Sequence, residues 1–395
     1  MAAKLSLLSY EAISWTTIAI IVTYALFRLV RSRQKTFSYF NEIGIPGPEP
    51  SLLWGNLAEY HKKSFVHALT DWCAKYGDVF GFYNGDLPML VVKDLDFVTY
   101  IFVENFQNFT DRGIVMRAEQ EHASLGKSVT HSKGANWRRM RGCISQAFTS
   151  NKLKHARKPD LLQIMLDASI QKKHSSDAGE KTKGSMTRLE VEVNTTMTLL
   201  AGFETTSTAL TYVSYVLAKY QDIQEKVRAE VASAVEEYGE LNYDSVMLRM
   251  KYLRRVVDET LRIYPPGTVF TTRRALNDFD YNGIKFKAGT SFMAPTLQIH
   301  MDLRYWPEPH RFDPDRFLPE NASSRPSVAY QPFGVGPRNC FGERLAILEI
   351  MYTMARMVEK YRLTLGESQK NDLELCFRAT VSAPREGPYI KFQRI

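Results

Sequence analysis

The residues best placed for chemistry stand in the run Pro332-Phe333-Gly334-Val335-Gly336-Pro337-Arg338-Asn339-Cys340-Phe341-Gly342. This glycine-punctuated loop delivers one cysteine to the start of an amphipathic stretch. A cysteine there has its thiolate favoured by the helix dipole and by backbone amides, as a metal ligand or a nucleophile requires. A buried, inert cysteine ahead of a capped helix fits the same loop. A second constellation is Glu259-Thr260-Leu261-Arg262, where positions i and i+3 share a helix face and form a charge-assisted pair. Taken alone such pairs are usually solvated surface.

These residues need elements to hold them. Helical periodicity runs from Met186 to Tyr238, with Leu189, Val193, Met197, Leu200, Leu210, Val213 and Leu217 spaced to line a face and a second helix after Asp222. A third helix covers Lys251 to Ile263 and stops at Pro265-Pro266, and a fourth runs from Glu343 to about Tyr361. Residues 78 to 93 read as a β-hairpin turning at Asn84-Gly85. The spacing predicts a mainly α fold with small β-sheets. Residues 152 to 188 carry nine Lys or Arg against four Asp or Glu and read as a solvated loop around one amphipathic piece, 161 to 170.

With 395 residues, 44% of them hydrophobic and 24% charged, the chain can build a large core, and wholesale disorder, collagen and coiled coil are excluded. Cys73, Cys143, Cys340 and Cys376 lie too far apart for a zinc finger and are too few for a disulfide scaffold. The net charge of +8 suits nucleic acid, an anionic membrane or an acidic protein partner. No aromatic and basic interleaving points to nucleic acid.

From Ala12 to Phe27 there are 16 residues without a charge, and letting Arg28 snorkel extends the stretch to Val30, giving 19. Arg28, Arg31, Arg33 and Lys35 follow it, whereas the other side offers Lys4 against Glu11, so the positive-inside rule places the body in the cytosol. A cleaved signal peptide would carry its basic residues on the opposite side. The expected organisation is an anchor with basic flank at 1–35, a proline-rich hinge at 36–56 and a catalytic body at 57–395. The sequons at Asn108, Asn194 and Asn321 are chance matches in a cytosolic body.

The pattern F-x-x-G-x-R-x-C-x-G, filled by Phe333, Gly336, Arg338, Cys340 and Gly342, resembles the haem-binding loop of the cytochrome P-450 family. Three further motifs follow that family's order. Glu259-Thr260-Leu261-Arg262 resembles its E-x-x-R helix, Pro314-Asp315-Arg316-Phe317 its P-E-R-F element, and Ala201-Gly202-Phe203-Glu204-Thr205 its A-G-x-E-T motif. The resemblance implies haem b with Cys340 as thiolate ligand to iron, Phe333 shielding the sulfur, and a buried network of Glu259, Arg262 and Arg316. It gives Glu204 and Thr205 the relay of protons to bound dioxygen; an acid beside hydroxyls bonded back to the helix is the plainer reading of that pair. Trp137 and Arg141, from Trp137-Arg138-Arg139-Met140-Arg141, would hold one haem propionate side, and Arg338 with Arg273, rather than Arg274, the other.

The implied activity is that of a membrane-bound monooxygenase of the endoplasmic reticulum, of the microsomal drug-metabolising type. It would insert one oxygen atom of O2 into an apolar small molecule. Electrons would come from NADPH through NADPH-cytochrome P-450 reductase, with cytochrome b5 as a second donor, docked on Lys133, Arg138, Arg139 and Arg344. The chain departs from the pattern in one place. Only 68 positions separate Trp137 from Thr205, which implies that roughly a hundred residues of the middle helices are absent, at about 1.5 Å of rise per residue enough for several helices. The expected junction is 154–158. An inactive, internally deleted form with impaired haem binding is therefore the alternative, and a haem-thiolate isomerase acting on peroxides a second.

Overall fold

The computed structural model describes residues 2–113, 124–154, 186–369, 372–378 and 381–395. The expected junction at 154–158, apart from Lys154, and the amphipathic piece at 161–170 lie outside the described residues. The chain forms two compact units, one of residues 1–91 and 279–286, the other of 92–278 and 287–395.

The first unit opens with helix α1 (Ala2–Phe37), whose segment Trp15–Phe37 is 23 residues long, unburied, and apolar enough to cross a membrane. The helix does not stop at its basic flank but continues to Phe37. Helices α2 (Leu57–Lys63) and α3 (Phe65–Tyr76) follow, then the paired strands β1 (Val79–Asn84) and β2 (Leu87–Val92). Gly85, at a φ of 67°, takes the left-handed turn position. The alternating aromatics of β1 pack on α3, with Phe80 and Phe82 both against Trp72. Strands β4 (Phe279–Tyr281) and β5 (Ile284–Phe286) form a hairpin with Phe279 opposite Phe286.

The second unit is helical, as the periodicity requires. It contains α4 (Leu95–Thr99), α5 (Gly134–Ser145), α6 (Arg188–Lys219), α7 (Gln221–Tyr238), α8 (Lys251–Ile263), α9 (Thr296–His300) and α10 (Glu343–Lys360). Short antiparallel pairs complete it: β3 (Thr272–Arg274) with β6 (Ser291–Met293), β7 (Tyr361–Leu365) with β10 (Ile390–Arg394), and β8 (Leu375–Arg378) with β9 (Val381–Pro384). In its main core cluster Val213, Val216 and Leu217 of α6 meet Val227 and Val231 of α7, Leu253, Val256 and Leu261 of α8, and Ile350, Met354 and Val358 of α10, while a second cluster joins Trp137, Met140 and Ile144 of α5 to Val191 of α6.

The apolar face expected along the whole of α6 is buried only in its C-terminal half. Leu189, Leu199, Leu200 and Phe203 are exposed, the last to 74%. The N-terminus is secured by a capping box between Thr187 and Glu190. Glu190 also takes a two-pronged ion pair from Arg139 of α5, at 3.1 and 2.5 Å. Between cap and core, about three turns of helix present apolar side chains to water.

Candidate haem-thiolate site

The loop before α10 is fixed by its own backbone. The Cys340 amide donates to the Phe333 carbonyl at 2.8 Å, Gly334 N to Gln331 O at 3.0 Å and Asn339 N to Gly336 O at 2.9 Å. Gly334 and Gly336 both adopt positive φ, 75° and 72°. At Gly336 a Cβ would lie 1.9 Å from the Phe102 carbonyl oxygen, so glycine is required there by conformation and by space. The Phe333 side chain packs toward the helical core.

Cys340 is open to solvent yet sits deep among protein atoms, and burial pushes its thiol above the ordinary cysteine range. The Gly342 amide and the Arg141 and Arg112 guanidiniums oppose that shift without overcoming it, and Glu343 adds to it. The expected stabilisation of the thiolate by helix dipole and amides is thus outweighed by desolvation. The thiol therefore holds its proton at neutral pH, and a bound metal ion would favour the thiolate.

Arg141 and Arg112 act on this cysteine, and Arg338 and Arg273 continue the cluster along the same loop. Arg141 donates to the carbonyl and side-chain oxygens of Asn339 at 2.7 and 2.9 Å and lies over the Phe341 ring. Arg338 lies 4.3 Å from the centroid of Trp137, donates to Ser132 O at 2.8 Å and comes within 4.0 Å of Asp111. Arg273 is only 1% exposed and donates to the carbonyls of Thr272 and Val335. Its neighbour on β3, Arg274, points the other way and bonds Gly289 O. Trp137 and Arg338, expected on opposite propionate sides, are in direct contact.

The sequence reading missed Arg112. Its guanidinium donates to Phe270 O, and burial draws it down to about 10 while Cys340 pulls it up and Arg141 down. Arg273 is lowered further by burial and by the charges of Arg112 and Arg338. Arg112 lies in Asp111-Arg112-Gly113, a loop with no periodicity to mark it; Gly113 lets that loop approach β3 closely, since a Cβ there would sit 2.8 Å from the Arg273 carbonyl.

The remaining expected groups fall into two sets. Glu259 and Arg262 of α8 are both fully buried and joined by two hydrogen bonds of 2.7 and 2.8 Å. Arg316 Nε lies 3.4 Å from the same carboxylate, which also accepts from Asp313 N at 3.0 Å. Burial pushes the Glu259 carboxyl up, and Arg262, the Asp313 amide and Arg316 pull it back. On α6, Glu204 is exposed, and the Thr205 hydroxyl donates to the Ala201 carbonyl at 2.6 Å. That is the back-bonded arrangement, with no link to the acid beside it.

The family model of cytochrome P450 matches residues 45–158 and 152–392, two stretches that overlap at 152–158. The chain belongs to the cytochrome P450 family. It is 28% identical to the lithocholate 6-beta-hydroxylase of Mesocricetus auratus over 473 aligned positions, covering 90% of this chain and 92% of that one. Cytochrome P450 3A17 of Cavia porcellus is 27% identical, covering 91% and 93%, and cytochrome P450 3A41 of Mus musculus 24%, covering 88% and 90%. Alignments of 473 positions on a chain of 395 residues must open long gaps in it, so the relatives carry sequence that this cytochrome P450 lacks.

Cytochrome P450 proteins are haem-thiolate monooxygenases, and the residues present fit that group. Among the described residues Arg112, Arg141 and Arg273 take carbonyl or amide acceptors and no acid, and the Nε atoms of Arg112 and Arg273 are buried without a partner. Buried cations without counter-ions cost several kcal/mol each. A ligand bearing two carboxylates beside the Cys340 thiol relieves that cost.

Proposed function

We propose that this cytochrome P450 is a membrane-bound monooxygenase in which Cys340 is the axial ligand to haem iron. The observation that carries the reading is the cluster of arginines beside an exposed, deeply set cysteine, in which Arg112, Arg141 and Arg273 meet no acid among the described residues. Arg112, Arg141, Arg273 and Arg338 would hold the haem carboxylates, and Trp137 would orient Arg338 by stacking. Gly342 N stabilises the Cys340 sulfur. When bound, the haem supplies the redox-active iron on which dioxygen is activated. Thr205 must give up its bond to Ala201 to pass a proton, and Glu204 would replenish it from solvent.

Electrons would come from NADPH through NADPH-cytochrome P-450 reductase, or through cytochrome b5. The docking surface is narrower than the sequence suggests, because Arg139 is committed to Glu190 while Lys133, Arg138 and Arg344 stay exposed. The substrate class is an apolar small molecule. The site is an endoplasmic reticulum membrane entered by α1, with Arg28, Arg31, Arg33 and Lys35 holding the body on the cytosolic side.

The test is the purified chain given haem and reduced under carbon monoxide. The red-shifted absorption of a thiolate-ligated ferrous haem is expected, and Cys340→Ala should abolish it. A histidine-type spectrum overturns the assignment. NADPH consumption with added reductase then separates a monooxygenase from a peroxide isomerase, which needs no electron donor.

The exposed face of α6 supports a second reading, a chain that encodes the haem floor but binds haem weakly. Leu199, Leu200 and Phe203 beside the proton-relay pair are wet where an enclosed substrate pocket needs them covered. Stoichiometric haem retention after gel filtration sinks this second reading.

A further inference from the structure

Arg141 of α5 grips both chain neighbours of Cys340. Its Nη1 donates to the Asn339 carbonyl at 2.7 Å and its Nη2 to Asn339 Oδ1 at 2.9 Å. Its guanidinium carbon lies 5.5 Å from the centroid of the Phe341 ring, which rests in turn on Phe148 at 5.2 Å. A guanidinium only donates, so the Asn339 amide must turn its oxygen toward the arginine. Asn339 thereby offers the two-pronged acceptor that a carboxylate would offer, but without the charge.

This fork is continuous with the backbone of the cysteine. The Asn339 carbonyl belongs to the same peptide group as the Cys340 amide, which donates to Phe333 O at 2.8 Å, while Asn339 N is spent on Gly336 O at 2.9 Å. A cation at the oxygen of a peptide polarises it and strengthens the hydrogen bond made by its N–H. Arg141 and the Phe333 carbonyl therefore hold the Cys340 peptide between them. The arginine itself stays uncompensated: its partners are a carbonyl and an amide, and burial lowers its pKa against the pull of Cys340.

We propose that Asn339 is a positioning residue, which aims Arg141 at the haem carboxylates through neutral acceptors, leaves its charge uncommitted, and ties its place to the peptide that carries Cys340. The proposal rests on reading Arg141 and Cys340 as haem contacts. The amide matters because of what the isosteric acid would do. A carboxylate at position 339 would pair Arg141 from within the protein by a charge-assisted fork, and haem would have to compete with it. An apolar side chain would free Arg141 from one prong and leave it unaimed. A residue that only braced the loop would show neither dependence on Arg141.

The experiment is a double-mutant cycle on the full chain, comparing the parent, Asn339→Ala, Arg141→Met and the two together by haem titration and by the reduction potential of the haem retained. Asn339→Ala should weaken haem binding about tenfold and lower the potential, because a cation at the carboxylate edge is no longer held in place. The red-shifted carbon monoxide band should remain. With Arg141→Met already present, Asn339→Ala should change neither affinity nor potential. In the haem-free chain Asn339→Asp should raise the urea midpoint, and Arg141→Met should remove that gain. Equal losses with and without Arg141 would make Asn339 a brace of the loop and overturn the proposal. A potential left unchanged by Asn339→Ala, or a haem-free midpoint lowered by Asn339→Asp, would overturn it as well. If the parent itself takes up no haem, the haem reading fails and takes the proposal with it.

Discussion

Arg273 shows how one side chain makes an anion-demanding site. It lies buried between Arg112 and Arg338, with carbonyls for partners. Replacing an uncompensated buried cation by an apolar side chain of similar length removes the desolvation cost. Arg273→Met should therefore stabilise the haem-free chain by about 1 to 4 kcal/mol, read as a higher urea midpoint, while haem titration shows weaker binding. A structural arginine would lose stability in both forms, so destabilisation of the haem-free chain would count against the site. Cys340 obeys the same logic with opposite charge. Its raised pKa means that the folded state holds the proton longer than the unfolded chain, so stability falls as pH climbs above the ordinary cysteine value of about 8.5. Alkylation of the haem-free chain at Cys340 should accordingly be slow at neutral pH and reach half its maximum above that value. A reactive thiolate at pH 7 would contradict the burial.

At the scale of elements, α8 is held by ion pairing and by a histidine that must stay neutral. Glu259→Ala leaves the buried Arg262 and its neighbour Arg316 without their shared anion and should cost about 3 to 5 kcal/mol, with haem incorporation lost alongside. Haem content equal to the parent would make the pair dispensable. His300 of α9 is fully buried, with Nε2 accepting from Gln331 N and Nδ1 facing the Arg262 carbonyl. Protonation would aim a second N–H at the Gln331 amide, and burial together with Arg262 lowers His300 to about 3 from 6.5. The unfolded chain binds that proton first, so stability is full above about pH 6.5 and falls by about 1.4 kcal/mol per unit as pH drops toward 3. Denaturant midpoints at pH 6.5, 5.5 and 4.5 should show this slope, and His300→Asn should flatten it. An unchanged slope would assign the acid sensitivity elsewhere.

For the molecule as a whole, the main consequence is the uncovered stretch of α6. Leu199→Ser, Leu200→Ser and Phe203→Ser together should leave the thermal midpoint nearly unchanged, since each side chain is already wet, while lowering self-association in sedimentation velocity. A large loss of stability would show that these side chains are packed in solution. The sequons bear on topology differently from one another. Asn194 is fully buried and bonded to Val129 N, Lys127 O and Glu190 O, so it accepts no glycan in a folded chain on either side of a membrane. Asn321 is exposed, and its modification in microsomes would reverse the proposed cytosolic orientation.

The sequence by itself determined the four helices α6, α7, α8 and α10 and the ligand loop. Periodicity and the double proline fixed α8 to the residue, and glycine spacing identified the Cys340 turn, because these are local properties of backbone and side-chain pattern. It also determined the family, through motifs in a fixed order. Only the tertiary structure decided which arginines gather beside the cysteine loop. Arg112 has no local signature and enters the site because Gly113 lets its loop pack against β3, and Arg273 rather than Arg274 points inward because the strand alternates. The balance at Cys340 was likewise beyond reach from sequence, since dipole and amides are local while burial sums over every neighbour in space. The half-wet face of α6 has the same origin: an apolar stripe states that a helix wants cover, and whether cover exists depends on what the rest of the chain brings to it.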